Sequence, residues 1–236
     1  MIVAPYSSDT FNTLPSLGHA RELFKNRQGE DAVQHLLDLI EQQGMEQKFG
    51  VILLHRHFDL QKNEALVDTN GTSTSWRIDE TPDATTFKKY NGEIIPHSWM
   101  IQDDGQLAPY EFAFSPTLSR DDDTPDFDMK DIQFLDEFSH LVQLLGMKDV
   151  FGLCSMKGRT QKTMEVTEKG ANVTFPLEDN YDFNKATDDV IPAMWGYFSG
   201  NTKDQSSDGL GLPVVRGCYQ WCQGPYENHT WYHDTT

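Results

Sequence analysis

Basic residues are scarce in this chain: 19 lysines and arginines stand against 37 aspartates and glutamates, a net charge of -18 over 236 residues. Such a surface repels phosphate backbones and anionic lipid headgroups over the distances that salt leaves unscreened. Nucleic acid and membranes are therefore excluded as expected partners; a small molecule is expected instead, and a homo-oligomer stays open. Cysteine is nearly missing as well. Cys154, Cys218 and Cys222 are an odd number without the dense spacing of a secreted disulfide scaffold, so reduced thiols and a cytoplasmic address are expected. No apolar run approaches the roughly 18 residues that cross a bilayer, and the opening MIVAPYSSDTF lacks the basic and apolar regions of a secretory signal. In that setting the glycosylation triplets at Asn70, Asn172 and Asn228 are silent.

Signature motifs are missing too. The chain has no G-x-x-x-x-G-K-[ST], no G-x-G-x-x-G after a strand, no G-x-S-x-G elbow and no H-E-x-x-H. Nucleotide hydrolysis, dinucleotide binding and the common hydrolase chemistries lose their usual support.

What is present reads as a helix followed by strands, twice. Ser16 caps a short helix through Lys25, and a second helix opens at Asp31 with Val33, Leu36, Leu37 and Ile40 at i, i+3, i+4 and i+7 on one face. The apolar run 49–54 suits a strand covered on both faces, and 64–68, 94–101 and 110–114 read as further strands between turn-rich stretches. From Phe134 the pattern restarts: Phe134, Phe138, Leu141 and Leu145 share a helical face, and 151–156 is another apolar run. Words recur in order, HLLDLI with HLVQLL, EALVD with TMEVT and IIPHSW with VIPAMW. The expected fold is α+β: an internal duplication into two tandem similar halves, each one helix followed by mainly antiparallel strands, with ligands near the pseudo-two-fold seam. The expected divisions are an N-terminal segment 1–30 with a short helix, a first half 31–118, a solvated acidic linker 119–131 and a second half 132–236 with a C-terminal hairpin.

Differences between matched words point to chemistry. His55-Arg56-His57 stands where the second half has Lys157-Gly158-Arg159, and His97 stands where it has Ala193. Along a strand, residues i and i+2 share a face about 6.6 Å apart, so two imidazoles at that spacing can converge on one ion. His55 and His57 would share the face of Val51 and Leu53. His97 would add a third nitrogen and Glu64 or Glu111 an oxygen, a set suited to a divalent transition metal, zinc or iron. Without metal, His55, His57, His97 and Glu111 are the candidate acid–base groups.

A second constellation, Cys218, Cys222, His229 and His233, has a C-x3-C-x6-H-x3-H form that suggests zinc. In a hairpin turning through 224–227, Cys222 would face His229 and Cys218 would face His233, giving two Cys/His pairs about 13 Å apart instead of one tetrahedral site.

The stretch from Gly50 through His55, His57 and Glu64 loosely resembles the first metal motif of the cupins, which imply a His/Glu site in a β-barrel. It departs in both spacings, the second cupin motif is absent, and the helices argue against that fold. The words LLHRHFDL, IIPHSW and the Trp-Cys to H-x3-H tail resemble uncharacterised proteins of filamentous ascomycete fungi, across most of the chain; that resemblance implies lineage and no activity. Two functional expectations result. One is a small-molecule enzyme or binder with a histidine-lined, metal-binding pocket in the first half. The other is a non-catalytic interaction module, with a structural Cys/His zinc site or no metal.

Overall fold

The computed structural model describes residues 3–78, 87–116, 127–177, 190–199 and 214–223. Its elements run α1 (Ser8–Phe11), α2 (Leu17–Asn26), α3 (Gly29–Gln42), β1 (Phe49–Leu53), β2 (Glu64–Asp68), β3 (Thr72–Arg77), β4 (Phe87–Lys89), β5 (Gly92–Ile101) and β6 (Leu107–Ser115). They continue with α4 (Met129–Leu144), β7 (Phe151–Ser155), β8 (Thr163–Glu168), β9 (Ala171–Pro176), β10 (Val190–Ser199) and β11 (Val214–Gln223).

Ten strands close into one mixed barrel in the order β5-β6-β2-β3-β9-β8-β11-β10-β1-β7. The seam is sealed by β5 against β7, and β4 is added outside on β5. The β2–β6 and β8–β11 pairs are parallel and the others antiparallel. This overturns the α+β reading and the internal duplication into tandem halves. β1 leaves the strands that follow it and pairs with β10 and β7, while β7 pairs with β1 and β5. Neither stretch, 31–118 or 132–236, therefore forms a sheet of its own. Hydrogen bonding drives the closure, because a curled sheet with a free edge leaves a row of unpaired amides and carbonyls.

Helices cover one outer flank of this wall. Val33, Leu36, Leu37 and Ile40 of α3 and Phe134, Phe138 and Val142 of α4 pack with Val51 and Leu53 of β1, Leu153 of β7, Trp99 of β5 and Trp195 of β10. Aromatic stacking ties the layers: Phe24 lies on Trp195 at 5.5 Å and Phe49 on Phe134 at 5.3 Å. Helices thus coexist with a barrel, contrary to the expectation that they exclude one. β1 is buried on both faces because helices meet one and the lumen the other.

Of the acidic stretch, residues 127–131 are described, and 129–131 form the first turn of α4. Asp128 caps α4 by accepting from the Asp131 amide, Asp131 returns a bond to the Asp128 amide, and the buried Asp131 carboxylate takes the Lys48 ammonium at 2.7 Å. This capping box satisfies amides that the first helical turn leaves open.

Inside the barrel, Ile52, Leu66, Tyr110, Cys154, Met194, Phe198 and Tyr219 form a second core. Phe11 and Leu14, around α1, and Leu54 and Leu60, after β1, join it and plug one end. The Asn12 side chain locks this plug by bonding both the carbonyl and the amide of Leu60 at 2.9 Å. Phe49 lies beside Ser155 and Leu53 beside Phe151, so β1 and β7 run oppositely and the segments after them leave at opposite ends of the barrel. Both segments matter for the interior chemistry.

Candidate metal centre

β1 ends at Leu53, and this changes where the two histidines go. Instead of continuing the strand face of Val51 and Leu53, the chain turns: the Leu54 amide bonds the Val150 carbonyl, the Arg56 amide bonds the Pro15 carbonyl, and the Arg56 guanidinium grips the Leu14 carbonyl. His55 is then held by its own Nδ1, 2.8 Å from the Leu53 carbonyl. A carbonyl only accepts, so Nδ1 carries the proton and Nε2 presents a lone pair. That lone pair faces His57 Nε2 at 3.1 Å.

His57 Nε2 lies 2.9 Å from Glu165 Oε1 of β8, and the Cys222 thiol of β11 donates to the same carboxylate oxygen at 3.5 Å. Cys222 and Glu165 are register partners in the parallel β8–β11 pair, which brings their side chains to one face. One donor atom from each of His55, His57, Glu165 and Cys222 falls within 4.8 Å of all the others. The group could hold a metal ion. A tetrahedral zinc with nitrogen, oxygen and sulfur bonds near 2.0–2.3 Å separates its donors by roughly 3.3–3.7 Å; the contacts of 3.1 and 3.5 Å lie near that range, within a group that spans up to 4.8 Å. Nitrogen, carboxylate and thiolate together suit a borderline-soft transition ion and not calcium or magnesium.

The surroundings are dry. His55 and Cys222 are buried, and the side chains of His57 and Glu165 are 3% and 12% exposed. Burial, joined by the neighbouring His57, pushes the His55 imidazole down to about 4. Burial also opposes charge on Glu165, but the His57 hydrogen bond, the two imidazoles and the Cys222 thiol outweigh it and hold this carboxyl at about 2. The Cys222 thiol is pushed well up by burial and by Glu165. Glu165 is thus a buried anion whose ion-pair partner among the described residues is a histidine. A cation on the shared centre would displace the thiol proton, as thiolate ligation requires.

The other expected residues are placed elsewhere. Glu111 pairs with Leu66 of the lumen core, so it too faces inward, and burial followed by the Glu165 charge raises it to about 8, a neutral acid at pH 7. His97 sits where β5 breaks register between Pro96 and Ser98, a bulge that re-aims its ring; its Nδ1 is 3.0 Å from the Ser98 hydroxyl. Burial and Arg159 push His97 down to about 3. Neither joins the four-residue group. Glu64 opens β2, where its carboxylate accepts from the Gln61 amide at 2.8 Å. Cys218 pairs with Trp195 and donates to the Gln220 carbonyl, while His229 and His233 lie outside the described residues.

Glu165 escaped notice in the sequence. Its word, TMEVT, matches EALVD, and there Glu165 stands in the place of Leu66. A carboxylate replacing an apolar residue is the same kind of difference that singled out His97 against Ala193. Comparison with protein-family models, curated proteins and solved structures returns no match for this chain.

Proposed function

We propose that this protein is a zinc-binding barrel that takes a small molecule into its lumen, the ion being held by His55, His57, Glu165 and Cys222. The approach of those four donor atoms to within 4.8 Å of one another carries the reading. The His55 Nδ1 bond to a backbone carbonyl supports it, because metal-binding histidines are oriented in this way by the nitrogen that does not bind the ion. Four protein ligands close a tetrahedron, so the ion would stabilise the barrel interior and tie the segment after β1 to β8 and β11. A cytoplasmic address belongs to the same reading, since Cys222 must stay reduced to serve.

His55, His57 and Glu165 alone also make a two-histidine, one-carboxylate set, the donor pattern of non-haem iron, and this favours iron as the second reading. Elemental analysis of untagged protein purified without oxygen tests both. About one equivalent of zinc is expected, falling below a tenth in His57→Ala and Cys222→Ser; one equivalent of iron retained by Cys222→Ser selects the second reading. Less than a tenth of an equivalent of any transition metal in the parent protein, with no thermal shift on adding zinc after chelation, ends both.

A further inference from the structure

The segment that follows β7 leaves the barrel at the end opposite the plug, and it brings Arg159 to the lumen. A cavity of about 410 Å³ opens there, lined among others by Asp68, Ile95, His97, Ala113, Phe114 and Arg159. Its volume falls in the range of small-molecule sites, and its wall pairs an apolar side with the Arg159 guanidinium, the exposed Lys157 and a few polar groups.

The guanidinium is the unusual feature. Among the described residues it has no hydrogen-bond or ion-pair partner, although acidic groups surround it. The Asp68 carboxylate is committed to the turn after β2, accepting from the Gly71 amide at 3.2 Å and the Ser73 hydroxyl at 3.4 Å. Glu111 is neutral near pH 7 for the reasons given above. Burial disfavours charge on Arg159, but Tyr219, Cys154, Asp68 and Glu111 outweigh it, and the side chain stays cationic. A half-buried guanidinium without a protein partner leaves its paired N–H groups free, and a planar anion matches them.

We infer that this cavity binds a small amphipathic carboxylate, its headgroup on Arg159 and its hydrocarbon body along Ile95 and Ala113. Carboxylate is favoured over phosphate because Lys157, the other cation on the wall, already has an interaction of its own and Asp68 lies on the same wall, so a second negative charge would be repelled. The inference names the ligand class for the small-molecule part of the proposed function and rests on the lumen cavity, not on the metal.

Isothermal titration calorimetry of the full chain with hexanoate tests it, with 1-hexanol as the uncharged counterpart and inorganic phosphate as the competing anion. Hexanoate is expected to bind, hexanol and phosphate not to bind, and Arg159→Met to weaken hexanoate at least tenfold. Ala113→Leu fills the cavity without touching the cation and is expected to block hexanoate, which keeps the test decisive should Arg159→Met fail to fold. Equal binding of hexanoate by the parent and either variant, or hexanol or phosphate binding as well as hexanoate, overturns the assignment. Zinc content measured on the same preparations tells failure here from failure of the metal reading.

Discussion

Glu111→Gln is the substitution that most directly probes the interior. Glu111 faces the lumen with Glu165, Arg159, Asp68, Tyr110, Cys154 and Cys222 as its ionisable surroundings, and burial first, then Glu165, raises it from an ordinary carboxyl to about 8. A raised folded-state value means that the native protein holds this proton more tightly than the unfolded chain. The resulting stability is complete below the unfolded value near pH 4.5 and is lost as pH rises through 8. At ~1.4 kcal/mol per unit, the parent should lose about 3 kcal/mol between pH 6 and pH 9 through this group alone. Glutamine keeps the shape and has no proton to lose. Urea unfolding of both proteins at the two pH values isolates the effect, because all other titrations cancel in the difference. Water reaching the lumen reduces the cost, so about 3 kcal/mol is a ceiling and about 1 kcal/mol the least that fits a buried neutral acid. If the two stabilities run parallel from pH 6 to 9, Glu111 is ionised throughout and the account of an unpaired Arg159 fails with it.

Other outcomes follow from the same interior. His97 is held down at about 3 by burial and by Arg159, so stability present above the unfolded histidine value declines as pH falls from 6.5; His97→Asn should remove about 3 kcal/mol of that decline by pH 4, read from acid unfolding curves. Phe11→Ala opens the plug and should cost about 3–5 kcal/mol in urea unfolding, a cost that less than 1 kcal/mol would contradict. Gly50→Ala would set a methyl group 2.7 Å from the Trp195 carbonyl oxygen and should lower stability by about 1–3 kcal/mol, since β10 cannot move away without breaking the wall. Asp131→Ala removes the capping box and the Lys48 bridge together, with an expected loss of about 1–2 kcal/mol by the same assay.

Local periodicity accounts for much of what the sequence disclosed. Val33, Leu36, Leu37 and Ile40 announced a buried helical face because helical geometry repeats within a few residues, and the run 49–54 announced a doubly covered strand for the same kind of reason. β3 stayed hidden: TSTSWR has no apolar alternation, and its place in the wall comes from backbone pairing with β2 and β9. The HxH spacing brought His55 and His57 to notice, although the strand face proposed for them ended two residues too early. Matching the two stretches by their words drew attention to residue differences, yet it also suggested two separate units. Strand order is not written in any single segment.

The sequence by itself determined an acidic chain of short apolar elements, two helical faces that must be buried, and a histidine pair able to share an ion. Only the tertiary structure decided that ten strands close on one another, that Glu165 and Cys222 meet those histidines across more than a hundred residues, and that Arg159 reaches the lumen from the far end. Helical and strand periodicities act over a few residues and are carried by side chains. Closure and convergence depend on backbone hydrogen bonds between strands distant in the chain, and a barrel is complete only when every edge has found its partner.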